Sequence, residues 1–214
     1  MAFVFLTGAS GFMGRNLSAE LLLRGHRVRG LVRPGSERRV AAGVESITGN
    51  PLEAATYSDS VCGADTFVHL VGVSHPNPSK AAQFRSIDLA SAKQAVRAAR
   101  EANIAHFIYV SVAHPAPVMA DYIAARSEAE EAIRGARLNA TILRPWYVIG
   151  PGRRWPLLLK PVYWAMEALP QTRESARRLG LVTLPQMVAA LANAVDQPAT
   201  GIRIVEVPEI RQSI

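Results

Sequence analysis

The 214-residue chain has 49% hydrophobic and 19% charged residues, enough apolar side chain to bury a core and an unlikely composition for disorder. No run reaches the ~18 clean apolar residues of a membrane-crossing helix, and the single cysteine, Cys62, excludes an internal disulfide and fits a reducing cytoplasm. The net charge of +7 is mostly arginine, with Lys80, Lys93 and Lys160 the only lysines, yet no basic stripe interleaves with aromatic residues, which argues against a nucleic-acid partner.

In chain order, the apolar pattern alternates between short runs and longer helical stretches, as expected of an α/β doubly wound parallel sheet. The opening residues 2–7 read as a strand and not a signal peptide, since no basic segment or cleavage site accompanies them. Residues 12–25 predict a helix with Leu17, Leu21 and Leu22 on one face, and residues 27–33 and 44–48 predict two more strands. After Asn50 and Pro51 comes a weak helix. Residues 66–71 form the nearly continuous apolar run of a central parallel strand. A long alanine-rich helix over 79–102, a strand over 107–112, a helix over 118–135 and a strand over 140–143 continue the rhythm. Beyond Arg144 and Pro145 the texture changes to Pro, Trp and Arg, and a helix over 185–196 and a strand over 202–207 close the chain. Without linker or repeat, the expectation is one domain over residues 1–214, with 145–182 as a segment covering the substrate side.

The segment between the first strand and helix is Thr7-Gly8-Ala9-Ser10-Gly11-Phe12-Met13-Gly14. Gly8 allows a sharp turn out of the strand, and Gly11 lets the backbone approach a pyrophosphate. Gly14 lets the helix pack closely on the sheet, and the helix N-terminus offers unpaired N–H groups to the anion. Strand, loop and helix together predict a dinucleotide site, with Ser10, Phe12 and Met13 lining it.

This three-glycine spacing, with Thr7 before it, resembles the short-chain dehydrogenase/reductase superfamily, in its extended, epimerase/dehydratase-like and small NmrA-like atypical branches. Residues 68–72 resemble the family's strand and loop passing under the cofactor, residues 107–111 resemble its fifth strand, and Leu143-Arg144-Pro145 with Gly150-Pro151-Gly152 resembles its Arg-Pro and Gly-Pro segment. The resemblance implies a Rossmann fold, with Leu70, Val71, Gly72 and Pro145 beside the cofactor.

The second strand ends in Arg33 where an NAD-binding protein would carry an acid; an arginine there suits a 2′-phosphate, so the expected cofactor is NADP, with NAD the less favoured choice. Asn50 stands where the family usually has an aspartate facing the adenine amino group. Tyr122 and Arg126 lie four apart on one helix face, matching the family's Tyr-x-x-x-Lys except that arginine replaces lysine. The resemblance implies Tyr122 as general acid and base, with Arg126 binding the nicotinamide ribose. The family's serine pair reads Ser111-Val112 here, which leaves the usual catalytic position apolar; a register shift of one makes Ser111 the candidate for it, with His114 a nearby polar alternative.

Trp146, Tyr147, Trp155, Tyr163 and Trp164 with five nearby arginines suggest packing, an apolar substrate lid or a peripheral membrane contact. The expected activity is hydride transfer between the cofactor and a small or apolar carbonyl or alcohol, in a cytoplasmic oxidoreductase. The alternatives are a non-catalytic NAD(P)H-binding sensor or assembly protein and, more weakly, a nucleotide-sugar epimerase or dehydratase. No metal ligands are expected.

Overall fold

A computed structural model of the chain describes residues 1–116, 118–151 and 178–214. The expected segment over 145–182 therefore lies largely outside the described residues, as do Trp155, Lys160, Tyr163 and Trp164. The main sheet has seven parallel strands in the order β3-β2-β1-β4-β5-β6-β9. They are β1 (Phe3–Thr7), β2 (Arg27–Val32), β3 (Glu45–Thr48), β4 (Thr66–His69), β5 (His106–Val110), β6 (Ala140–Arg144) and β9 (Ile202–Glu206). A second, two-stranded parallel pair joins β7 (Tyr147–Ile149) to β8 (Leu181–Thr183), which the sequence pattern does not anticipate.

Side chains alternate across each strand, so β1 feeds both helical layers: Val4 and Leu6 enter one, Phe5 the other. The first layer holds α1 (Phe12–Leu23) and α5 (Leu184–Asp196), where Leu17 and Leu21 join Met187 and Leu191 in a dry core. The second holds α2 (Ser58–Val61), α3 (residues 81–101) and α4 (Ala120–Gly135) over Phe67, Phe107 and Ile142. A short α6 (Val207–Arg211) replaces the end of the expected last strand. A reciprocal cap between Thr183 and Gln186 starts α5. With helices on both faces, this is a Rossmann-type doubly wound fold.

One difference from the sequence pattern bears on function. The uninterrupted helix expected over 79–102 begins as a 3-10 turn at Pro78–Lys80 and passes through a π-helical stretch at Phe84–Leu89 before Ala90–Glu101. That stretch buries Phe84, Asp88 and Leu89 together. A π turn shifts the residues that follow around the helix axis, and here it accompanies a fully buried carboxylate on a helix that periodicity alone reads as alanine packing.

Candidate functional site

All strands of the main sheet run the same way, so the loops after β1, β2, β4 and β5 gather at one edge. At its centre, Gly8 adopts a left-handed φ of +77°, and its carbonyl accepts from the Gly11 amide at 3.0 Å. A Cβ on Gly8 would stand 3.0 Å from the Leu70 carbonyl carbon, and one on Gly14 would overlap the Gly8 carbonyl oxygen. These glycines are required by close approach of backbone to backbone. Gly11 caps α1 without a side chain over the first turn, and the first-turn N–H groups have no acceptor within the helix. Phe12 packs on Gly150, where a Cβ would come within 2.6 Å of its ring. Ser10 and Met13 are half-buried beside this cradle.

At the ends of β2 and β3, Arg33 is exposed. The Asn50 side-chain oxygen accepts from the Leu52 amide at 3.0 Å, and its amide group donates to Glu53 at 2.9 Å. Asn50 thus shapes its own turn.

Below the end of β4 lies a buried polar cluster. Thr7 Oγ1 and His69 Nδ1 are hydrogen-bonded at 2.8 Å, and His69 Nε2 lies 3.4 Å from Ser91 Oγ. Burial, with the Arg126 charge nearby, pushes the His69 pKa down to about 3, so this imidazole is neutral at physiological pH. Arg126 donates to Asp88 Oδ1 at 2.5 Å and to the Val110 carbonyl at 2.8 Å. The other Asp88 oxygen accepts from the Val73 amide at 2.9 Å. One carboxylate therefore ties α4 to the loop carrying Leu70, Val71 and Gly72. A Cβ on Gly72 would collide with the Arg126 guanidinium, so this loop rests directly on it.

The Tyr122 ring lies over that guanidinium at 5.1 Å and packs on Phe84 at 4.9 Å. Burial opposes the Arg126 charge, but Tyr109, Tyr122 and Asp88 hold its pKa above the usual arginine value. Among the described residues the buried Arg126 Nε has no hydrogen-bond partner. Tyr122 and Arg126 are thus brought together, with Gly72 against the guanidinium.

Ser111 belongs to a different cluster. It is buried and donates to Glu130 at 2.7 Å. Glu130 also accepts from Arg144 at 2.6 Å and from Arg134 at 3.1 Å, and His114 Nε2 stands 3.7 Å away. Burial raises the Glu130 pKa, but the bonds from Arg144 and Ser111 outweigh it and hold the group below the usual carboxylate range. Arg144 continues to Glu206 at 3.1 Å, and the buried Pro145 accepts from the Ala113 amide at 2.9 Å.

Asp88 and Glu130 are missed by the reading of the sequence, although each left a trace. Asp88 is an acid set between Ile87 and Leu89, and Glu130 follows Tyr122 and Arg126 at the same four-residue spacing. Among the described residues no group of His, Cys, Asp and Glu is placed to hold a metal, and no helix is long and apolar enough to cross a membrane.

Comparison with known proteins agrees with this fold. Residues 8–153 match the model of the NAD(P)H-binding family. Ceramide reductase of Caulobacter vibrioides is 29% identical over 211 residues, covering 98% of this chain and 65% of that protein. The Stigmatella aurantiaca 4-hydroxy-2-methyl-3-oxo-4-farnesyl-3,4-dihydroquinoline-1-oxide ketoreductase is 27% identical over 168 residues, 68% of this chain and 50% of that protein. The chain thus spans less than two thirds of either relative. Among solved structures, the Bordetella bronchiseptica enzyme WbmH in complex with NAD+ superposes with a TM-score of 0.71 at 20% identity, covering 96% of this chain and 75% of that one. With the family model matched over most of its length, the chain belongs to the NAD(P)H-binding family.

Proposed function

We propose that the chain is an NADP-dependent oxidoreductase of the atypical short-chain type, moving hydride to or from a small or apolar carbonyl or alcohol. The observation that carries this reading is the Tyr122 ring over the buried Arg126 guanidinium, 5.1 Å away, on the helix that leaves the carboxyl end of β5. That is the sheet edge that also carries the glycine cradle. The relatives' names support a carbonyl substrate with an extended apolar part, since one is a ceramide reductase and the other a farnesyl-quinoline ketoreductase.

The residues present fit a dinucleotide. Gly8, Ser10, Gly11, Phe12, Met13 and Gly14 would receive the pyrophosphate at the N-terminus of α1, which packs so close to the loop that a Cβ at Gly14 would overlap the Gly8 carbonyl. Arg33 and Asn50 would face the adenosine end, and Leu70, Val71, Gly72 and Pro145 would line the path toward the nicotinamide. When bound, the cofactor supplies or accepts the hydride. The Tyr122 hydroxyl gives or takes the proton on the substrate oxygen. Arg126 cannot relay that proton, because guanidinium stays charged; it holds the Tyr122 ring and favours the phenolate by its field. Ser111 reaches a substrate only by giving up its bond to Glu130, so its proposed part is positioning.

That commitment of Ser111, with both terminal nitrogens of Arg126 bonded within the protein, favours a second reading: a protein that binds NAD(P)H without turning it over. Tyr122→Phe separates the two. For the enzyme, kcat on a panel of long-chain ketones and aldehydes falls about 100-fold or more while cofactor affinity is kept. Tight NADPH binding with no oxidation on any carbonyl overturns the enzyme reading and leaves the binding protein.

A further inference from the structure

We propose that the Glu37 carboxylate occupies the place the 2′-phosphate of NADP would take, and thereby sets how strongly this protein prefers NADP over NAD. The inference rests on the cofactor site proposed above. The turn after β2 lies where a dinucleotide held by the glycine loop brings its adenosine ribose. Parallel pairing places it there, with Leu31 opposite Thr7 on β1 and Val32 opposite Thr48 on β3.

In that turn the Glu37 carboxylate accepts from the Gly35 amide at 3.1 Å and from the Thr48 hydroxyl at 3.3 Å. Its own amide and that of Gly35 hold its pKa below the usual glutamate value, so it is an anion at physiological pH. A backbone N–H and a hydroxyl converging on one carboxylate oxygen are donors of the kind that phosphate oxygens use. Arg33, Arg38 and Arg39 surround Glu37 in sequence, and all four side chains are exposed. Among the described residues none of the three guanidinium groups forms an ion pair, not even with Glu37. Among the described residues the positive charge that suits a 2′-phosphate is therefore unpaired, while the converging donors are held by the chain's own carboxylate. NADP must displace that anion and tolerate its charge nearby. NAD, with a neutral hydroxyl at this position, need not.

The test titrates NADPH and NADH separately against the unmodified full chain, Glu37→Gln and Glu37→Ala, with thermal melts confirming the fold of each. Glutamine keeps the length and an acceptor oxygen but removes the charge. Glu37→Gln is expected to tighten NADPH binding about fivefold and leave NADH unchanged, the size expected of an exposed charge contact. The gain should shrink as salt is raised, and Arg33→Ala should move NADPH affinity the other way. A weaker NADH affinity in Glu37→Gln, with NADPH unmoved, would make Glu37 an acceptor for the ribose hydroxyl and overturn the inference. Equal changes in both cofactors, or none, overturn it as well while leaving the cofactor site intact. If neither dinucleotide binds the unmodified chain, the proposed function itself falls.

Discussion

Asp88 and Glu130 are the buried carboxylates among the described residues, and each faces an arginine at the carboxyl edge of the sheet. Their surroundings differ. Asp88 has one guanidinium partner and one backbone amide, and both belong to the floor on which the cofactor is proposed to lie. Glu130 gathers Arg144, Arg134 and Ser111, and through Arg144 it is linked to Glu206 at the end of β9. The first is a single ion pair that ties α3 and α4 to the loop after β4. The second is a network that ties α4 to β6 and β9. A single buried pair has no second charged partner when one member is lost, whereas a network can share the remaining charge.

Removing each carboxylate tests that contrast. Asp88→Ala leaves the Arg126 charge buried and unanswered, with a cost of about 4 kcal/mol in urea unfolding. A loss as small as that of an exposed pair would show that Arg126 can turn to solvent and that the floor is not fixed by Asp88. Glu130→Gln keeps the size and an acceptor for Arg144, so the cost is about 2 kcal/mol. Its signature is the pH dependence. Because the Glu130 pKa is depressed in the fold, its contribution is full above the ordinary carboxylate range and is lost as pH falls below it. Glu130→Gln should therefore lose less stability than the unmodified chain between pH 5 and 3, values chosen around the ~4.3 of free glutamate. Parallel acid profiles for the two proteins would remove Glu130 from the account. The smallest effect is expected at Glu101, which meets Arg97 at 2.8 Å on the exposed side of α3. Glu101→Gln should leave the unfolding midpoint unchanged, as exposed pairs gain little after screening by water and salt.

Much of this fold could be read from short stretches of sequence. The seven parallel strands lie within two residues of the expected runs, because buried strands need dense apolar residues and turns need glycine or proline. The glycine loop could be read for the same local reason. The break in α3 could not, since its alanines satisfy a helix and Asp88, buried in the π stretch, takes a partner 38 positions away. The β7–β8 pairing joins residues more than thirty positions apart, beyond any local pattern. In the candidate site, the shared face of Tyr122 and Arg126 followed from helical spacing. What Arg126 and Ser111 are bonded to did not.

Local patterns thus specified the strands, the glycine loop, the shared face of Tyr122 and Arg126, and the arginine just after β2. Each depends on neighbours within a few positions, where steric limits and periodicity act directly. Folding assigned the partners: Asp88 to Arg126 across 38 positions, Ser111 to Glu130 across 19, and Glu37 to Thr48 across 11. A charged or polar side chain can satisfy itself with any of many partners, or with water. Only packing that excludes water from these positions, or brings two strand ends together, selects one.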